Sequence, residues 1–594
     1  MENNQIKISL KQVIIALIAI SLVIGVTIFI VLKNSYKYEI ENPIIGKKDD
    51  WVYNPKDYDE EESFNFGGLS IGGLMADSAS SASIQQSSVS KSIGLSTGGA
   101  KDINNFRENI NNGYFPISTD ITYNGLFYDY TFDTGNKGES DELFSPSYSC
   151  AISKDPISNK EEYYMTVGLN SNIKESDFQR KKLNLTIVLD ISGSMSSSFS
   201  SYYYDNPLGK ENEKTEENKT KMQIANESVN ILIDRLNNDD RFGMVLFDDE
   251  GYLAKPISLI SETDMEAIKG HVLEIEAMGG TNFEAGYTKA TDLYKEYINS
   301  DADEYENRII VITDAMPNYG TTSKDGLLSY VKENAKKGIY TTFIGVGVDF
   351  NTELIEEISD VKGANYYSVH SSLEFKERMG EQFEYMVTPL VFDLNLDLES
   401  TDYEISMVYG SDTKNKENGN IMKINTLFPS KTTDTGEVKG GVVLLKLNKV
   451  SNNENGKIKL KVSYKDRNNK DYSNSQSIKF EEGQEYYDNT GIRKAIALTR
   501  YANVLKNWIM YERTENDRFY IMPEIGIIDC GWDEKDVRNI LGENERTSVQ
   551  LTVSEQYKEI FSNIKTYMEN ENQYINDENL KQEIEILDKL KNNG

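Results

Sequence analysis

The sequence predicts an α/β domain, a doubly wound and mostly parallel sheet, flanked by an antiparallel β-sandwich-like domain and a C-terminal helical region, with one N-terminal transmembrane helix. Three observations carry this. Residues 181–386 alternate short apolar runs with amphipathic helical stretches. After Pro389 the hydrophobic period drops to two. Residues 13–32, VIIALIAISLVIGVTIFIVL, carry no charge over a length that crosses a hydrocarbon core as a helix.

The N-terminal elements come first. Residues 1–12 form a short tail and 13–32 a signal anchor. A cleaved leader is the rival reading, but its apolar core is usually shorter and ends in small residues, whereas KNSYKYEI comes next here. Lys7 and Lys11 precede the span, while Lys33, Lys37, Lys47 and Lys48 lie after it. The positive-inside rule therefore leaves the side undecided and, taken literally, leans against export. The expected placement of the body is still extracytoplasmic, because a short tail and one N-terminal span usually carry the rest of a chain across. Residues 33–100 are rich in Gly, Ser and acidic residues and read as a flexible tether.

Structured patterning begins at Lys101. In the flanking region 101–180, NNFRENINNGYF has helical spacing, ITYNGLFYDYTFD alternates like a strand, and EEYYMTVGLN adds another strand. In 181–386, LTIVL, RFGMVLF, RIIVITD and TTFIGVGV are strands buried on both faces. Helices KMQIANESVNILIDRLN, FEAGYTKATDLYKEYI, DGLLSYVKENAKK and ELIEEISDV accompany them. In 387–484, LVFDLNLDLES and GKIKLKVSYKD alternate apolar with polar, the mark of sandwich strands. Residues 485–594 turn helical through TGIRKAIALTRYANVLKNWIM, EQYKEIFSNIKTYM and ENLKQEIEILDKLK. Residues 120–180 and 390–480 bracket the central domain and are candidates to pair in one sandwich with that domain inserted between them.

Composition excludes several functions. The chain of 594 residues has 63 Lys+Arg against 96 Asp+Glu, a formal charge of −33. That excess repels nucleic acid. The two histidines, His271 and His370, are distant in sequence, which rules out a His-rich zinc site and disfavours a Ser-His or Cys-His nucleophile. Cys150 and Cys530 fit no metal or redox spacing, and whether they pair is left open. GVGV lacks a third glycine and no phosphate loop is present, so no nucleotide site is expected.

The chemistry concentrates in DISGSM. Asp190 ends the strand LTIVL, and Ser192 and Ser194 come next at steps of two around Gly193. In GGTNFEAG, Thr281 precedes a helix behind two glycines; in RIIVITDAMPNYG, Asp314 ends another buried strand. Ligands of such sheets bind where the strands' carboxyl ends open. Two carboxylates and three hydroxyls make an all-oxygen shell suited to a hard cation, magnesium above all. Asp248 and Asp249, after RFGMVLF, read as loop acids.

In that order and on those strand–helix repeats, DISGSM, MGGTNFEAG and ITDAMPNYG resemble the von Willebrand factor A (VWA) domain, with its Rossmann-like fold and metal-ion-dependent adhesion site. The resemblance implies that Asp190, Ser192, Ser194, Thr281 and Asp314 hold Mg2+ (or Mn2+ or Ca2+), directly or through water. It further implies a protein or polymer partner whose exposed carboxylate completes the coordination. The flanks NNFRENINNGYFP and TGEVKGGVVLLKL are similar to those of bacterial membrane-associated relatives.

Two functions compete. One is a membrane-anchored, cation-dependent adhesion or ligand-binding protein; the other is a non-enzymatic adaptor or scaffold for an ATPase or envelope-assembly machine. No nucleophile–base pair supports an enzyme, so no catalytic residues are assigned. The connection 196–220, with Tyr202, Tyr203 and Tyr204, is longer than the family's usual one and starts on the metal face, either as part of the recognition rim or as a solvated loop.

Overall fold

A computed structural model of the chain describes residues 47–55, 92–99, 103–117, 120–135, 142–199, 219–298, 304–314, 320–347, 358, 361–411, 421–451, 457–481, 484–514 and 549–593. The expected membrane span, residues 201–218 of the long connection, Cys530 and most of ELIEEISDV lie outside the described residues. Among the described residues no helix is long and apolar enough to cross a membrane.

The central sheet has six strands in the order Asn365–Val369, Ile339–Val346, Tyr305–Thr313, Lys182–Asp190, Arg241–Phe247 and Gly251–Leu259. Every neighbouring pair is parallel except the last, where Gly251–Leu259 runs antiparallel along the edge. The strand Lys182–Asp190 feeds both faces. Leu185, Ile187 and Leu189 enter a core with Met222, Ala225 and Val229 of helix Lys221–Ile233 and Phe375 of helix Ser372–Met379. Val188 enters a second core, with Phe283 and Tyr287 of helix Phe283–Asp292 and Leu327 and Val331 of helix Lys324–Lys336. Burial on both faces is why this strand reads as an unbroken apolar run. The edge strand Gly251–Leu259 and helix Met265–Leu273 add to the elements read from sequence.

The flanks form a sandwich. One sheet runs Asp471–Lys479, Lys457–Asp466, Val391–Glu399, Ile421–Ser430, Ser92–Thr97 and Asn170–Lys174. The other runs Tyr403–Tyr409, Val442–Lys449, Glu161–Gly168, Ser147–Lys154 and Tyr486–Tyr487. Each draws strands from both sides of the central domain, which is thus inserted between them. Leu394, Leu396, Leu460 and Val462 of the first sheet share a core with Met165, Val167, Val443 and Leu445 of the second. Side chains of alternate register on the second sheet, Ala151, Tyr164 and Leu444, face a helical layer instead.

That layer joins helices from before and after the central domain. Helices Thr490–Thr514, Glu555–Ile575 and Leu580–Lys591 bury Trp508, Phe561 and Leu587 with Phe106 and Ile110 of helix Asn104–Asn112. At its centre the Arg107 guanidinium donates to Glu583 Oε1, with Nε at 3.2 Å, and the Tyr130 hydroxyl donates to the same oxygen at 2.8 Å.

Two sequence readings are corrected. ITYNGLFYDYTFD is mainly helix Tyr123–Asp129, succeeded by the two-residue strand Thr131–Phe132. The Thr122 hydroxyl caps it, accepting from the Gly125 amide at 3.0 Å, and Leu126, Phe127 and Tyr130 are buried together at helical spacing. The tether assigned to 33–100 holds two ordered pieces: residues 47–55, and the strand Ser92–Thr97, which pairs antiparallel with Ile421–Ser430. Small residues there serve close packing, since a Cβ on Gly94 would lie 2.0 Å from Val438 Cγ1. Among the described residues Cys150 has no disulfide partner, and burial pushes its thiol pKa up.

Candidate metal centre

Three parallel strands end side by side at one edge of the central sheet. In their register Leu189 faces Ile312, and Asp190 faces Phe247, so the residues just beyond these strand ends emerge together. Asp190 is fully buried. Its Oδ1 accepts from the Ser192 amide at 2.8 Å and its Oδ2 from the Thr313 hydroxyl at 2.5 Å. A short helical turn, Gly193–Ser196, then brings Ser194 Oγ to 3.0 Å from Ser192 Oγ, and Ser194 donates to Asp314 Oδ1 at 2.7 Å. Asp190, Ser192, Ser194 and Asp314 are thereby linked within one hydrogen-bonded cluster.

Thr281 sits on the adjoining loop and is buried. That loop is pinned to the first by the Gly193 amide donating to Gly279 O at 3.0 Å and the Met278 amide to Ile191 O at 2.5 Å. Gly279 has φ +69, where a side chain would be strained, and a Cβ there would meet Asp248 at 2.9 Å. Behind it, Asn282 caps helix Phe283–Asp292, while its amide donates to Asp248 O at 2.6 Å. Asp248, read from sequence as a loop acid, is buried: its carboxylate accepts from the Tyr252 hydroxyl at 2.8 Å and the Glu250 amide at 3.0 Å. It props the loop that carries Thr281.

Lys221 is the residue that sequence reading missed. It opens helix Lys221–Ile233, whose start is set by a capping box between Thr220 and Gln223. Its ammonium donates to Asp314 Oδ2 at 2.8 Å, and both side chains are shielded from solvent. Gly347, at φ +83, leaves room for it, since a Cβ there would lie 3.0 Å from Lys221 Cε. The two ends of the long connection are held together beneath this helix. Ser198 bridges Thr220 antiparallel, Lys221 N donates to Ser197 O at 2.9 Å, and Phe199 stacks on Phe375.

The electrostatics disfavour a charged Asp190. Burial, and then the charge of Asp314, raise the Asp190 carboxyl from its ordinary 3.8 to about 7, against the lowering effect of hydrogen bonds from Ser192 and Thr313. The Lys221 ammonium lies on the other carboxylate, at Asp314 Oδ2. Among the described residues there is no cluster of three or more His, Cys, Asp or Glu. The donors gathered here are carboxylate and hydroxyl oxygens, the set that a hard divalent cation takes. Asp190, Ser192, Ser194, Thr281 and Asp314 would hold it. Gly193, Ser194 and Gly279 are exposed while Asp190, Ser192, Thr281 and Asp314 are buried, so among the described residues the cluster reaches solvent past Gly193, Ser194 and Gly279.

The family model of the von Willebrand factor type A domain matches residues 184–380, less than half of the chain, and this part of the chain is a VWA domain. Uncharacterized protein YfbK of Escherichia coli (strain K12) is 24% identical over 221 residues, 36% of this chain and 33% of that protein. Inter-alpha-trypsin inhibitor heavy chain H2 of Homo sapiens is 21% identical over 222 residues, 37% of this chain and 21% of that protein. The chain thus spans a third or less of these curated relatives. Among solved structures, the von Willebrand factor type A protein from Catenulispora acidiphila aligns with a TM-score of 0.38 and 14% identity, over 62% of this chain and 82% of that one.

Proposed function

We propose that the protein is a non-enzymatic receptor that binds a carboxylate-bearing protein or polymer through a divalent cation, Mg2+ or in its place Mn2+ or Ca2+, at the centre built from Asp190, Ser192, Ser194, Thr281 and Asp314. The observation that supports this best is the pairing of buried acids with an exposed first loop. The buried Asp190 and Asp314 would hold the ion, and the exposed Ser194 and Gly193 would leave it accessible to a partner. Hydroxyl ligands neutralise little of the ion's charge, so an incoming carboxylate gains a strong, charge-assisted bond.

The receptor is anchored through residues 13–32, with its body on the outer side of the membrane. Protease added to intact cells then degrades the body; full protection would move the body to the cytoplasmic side and favour an adaptor role. The binding itself is tested on carboxylate-functionalised beads. Wild-type protein is retained with magnesium and released by EDTA, and Asp314→Ala is not retained. Equal retention of wild type and variant, or retention in EDTA, would refute the proposal.

A further inference from the structure

The outer edge of the central sheet is not bare. Residues 48–53 lie along strand Gly251–Leu259 and the turn after it. The Val52 amide donates to Ala254 O at 2.8 Å, Lys48 N to Glu262 O at 2.9 Å, and Asp264 N to Lys48 O at 2.9 Å, with Lys48 and Thr263 in a parallel bridge. An exposed edge of this kind accepts an added strand, and its side-chain pockets decide which one.

Three contacts follow in turn. Lys255, wholly buried on the edge strand, donates to Phe242 O at 2.9 Å and Ser258 Oγ at 2.6 Å, and its carboxylate partner is Asp50 Oδ2 at 3.2 Å. Ser258 also donates to Asp50, at 2.6 Å. A buried ammonium is costly unless paired, so this pocket selects an acid. Next to it Trp51 stacks on His271, with centroids 5.3 Å apart and planes 13° from parallel, and His271 Nε2 lies 2.9 Å from Asp49 Oδ2. Last, Tyr53 packs on Tyr252 at 5.7 Å, and Tyr252 is the residue whose hydroxyl holds Asp248 beside the metal loop.

We propose that this edge is a recognition site for an acidic–aromatic strand, Asp-Asp-Trp-x-Tyr, occupied in cis by residues 49–53 as a detachable strap. The strap ties the N-terminal part of the chain to the outer wall of the metal face, through Tyr53, Tyr252 and Asp248. Because the backbone pairing is generic and the Lys255 and His271 pockets are not, selectivity resides in Asp50 and Trp51. The site is separate from the metal ligands and does not depend on their reading.

The test keeps the full chain. A specific protease sequence is inserted between residues 56 and 91, the purified protein is cleaved, and the pieces are passed over a sizing column. The N-terminal fragment is expected to co-elute with the body. In the Asp50→Ala/Trp51→Ala double variant, whose changes lie on the strap alone, the retained fraction falls about tenfold or more. An excess of synthetic peptide 47–55 displaces the wild-type fragment. Immediate loss of the wild-type fragment, or equal retention in the variant, would overturn the proposal. So would an uncleaved dimer that the double variant converts to monomer, since the strap would then belong to a second copy.

Discussion

The Lys221 ammonium lies 2.8 Å from Asp314 Oδ2, joining the first residue of one helix to the end of a strand 93 positions later. This contact places a buried positive charge on one oxygen of a candidate metal ligand. It stabilises Asp314 when no other cation is present, and it repels one that arrives.

Replacing Lys221 separates these effects. Removing one partner of a buried ion pair costs ~3–5 kcal/mol because the other charge is left uncompensated. Lys221→Met is therefore expected to lower the melting temperature of metal-free protein. Added magnesium should restore more of it than it adds to wild type, since the metal now supplies the missing charge. Calorimetric melting with and without magnesium reads both, and a smaller magnesium effect in the variant would count against the arrangement.

Asp190 predicts the pH dependence. Its folded-state pKa, about 7, lies above its ordinary 3.8, so folding favours its protonated form. In metal-free protein this contribution is complete below about 3.8 and is lost as pH rises through about 7. A divalent cation takes the place of that proton. The magnesium-induced rise in melting temperature should therefore grow between about pH 5.5 and about pH 8.5, and Asp190→Asn should flatten the trend. A magnesium effect independent of pH in wild type would exclude Asp190 as a ligand.

The helical layer offers a test away from the metal. Glu583 is fully buried and accepts from both Arg107 and Tyr130. Glu583→Ala removes the buried acceptor of Arg107 and Tyr130, leaves Arg107 its half-buried partner Asp129 at 2.8 Å, and should cost ~3 kcal/mol in denaturant unfolding. A loss under ~1 kcal/mol would mean that helices Asn104–Asn112 and Leu580–Lys591 are not joined in solution.

Much of the fold was legible because burial imposes a period. Val391–Glu399 alternates since only one face of that strand meets the core, and Lys182–Asp190 runs apolar since both faces do. Asp190 and Asp314 stood out because a charge ending such a run must have a use. Lys221 did not, since a lysine at a helix start looks like a solvated one until the fold brings Asp314 to it. The strand Ser92–Thr97 was hidden for the opposite reason: Gly94 admits Val438 against the backbone, and composition alone does not distinguish a glycine that packs from one that flexes. The strap escaped notice because Asp50 acquires meaning only beside Lys255, which lies 205 residues on.

Titration calorimetry of the protein with magnesium addresses the central claim most directly. One site is expected in wild type, and it should vanish in Asp190→Ala and in Asp314→Ala while circular dichroism shows both variants folded. Undiminished magnesium binding in both folded variants would contradict a metal centre at the ends of these strands.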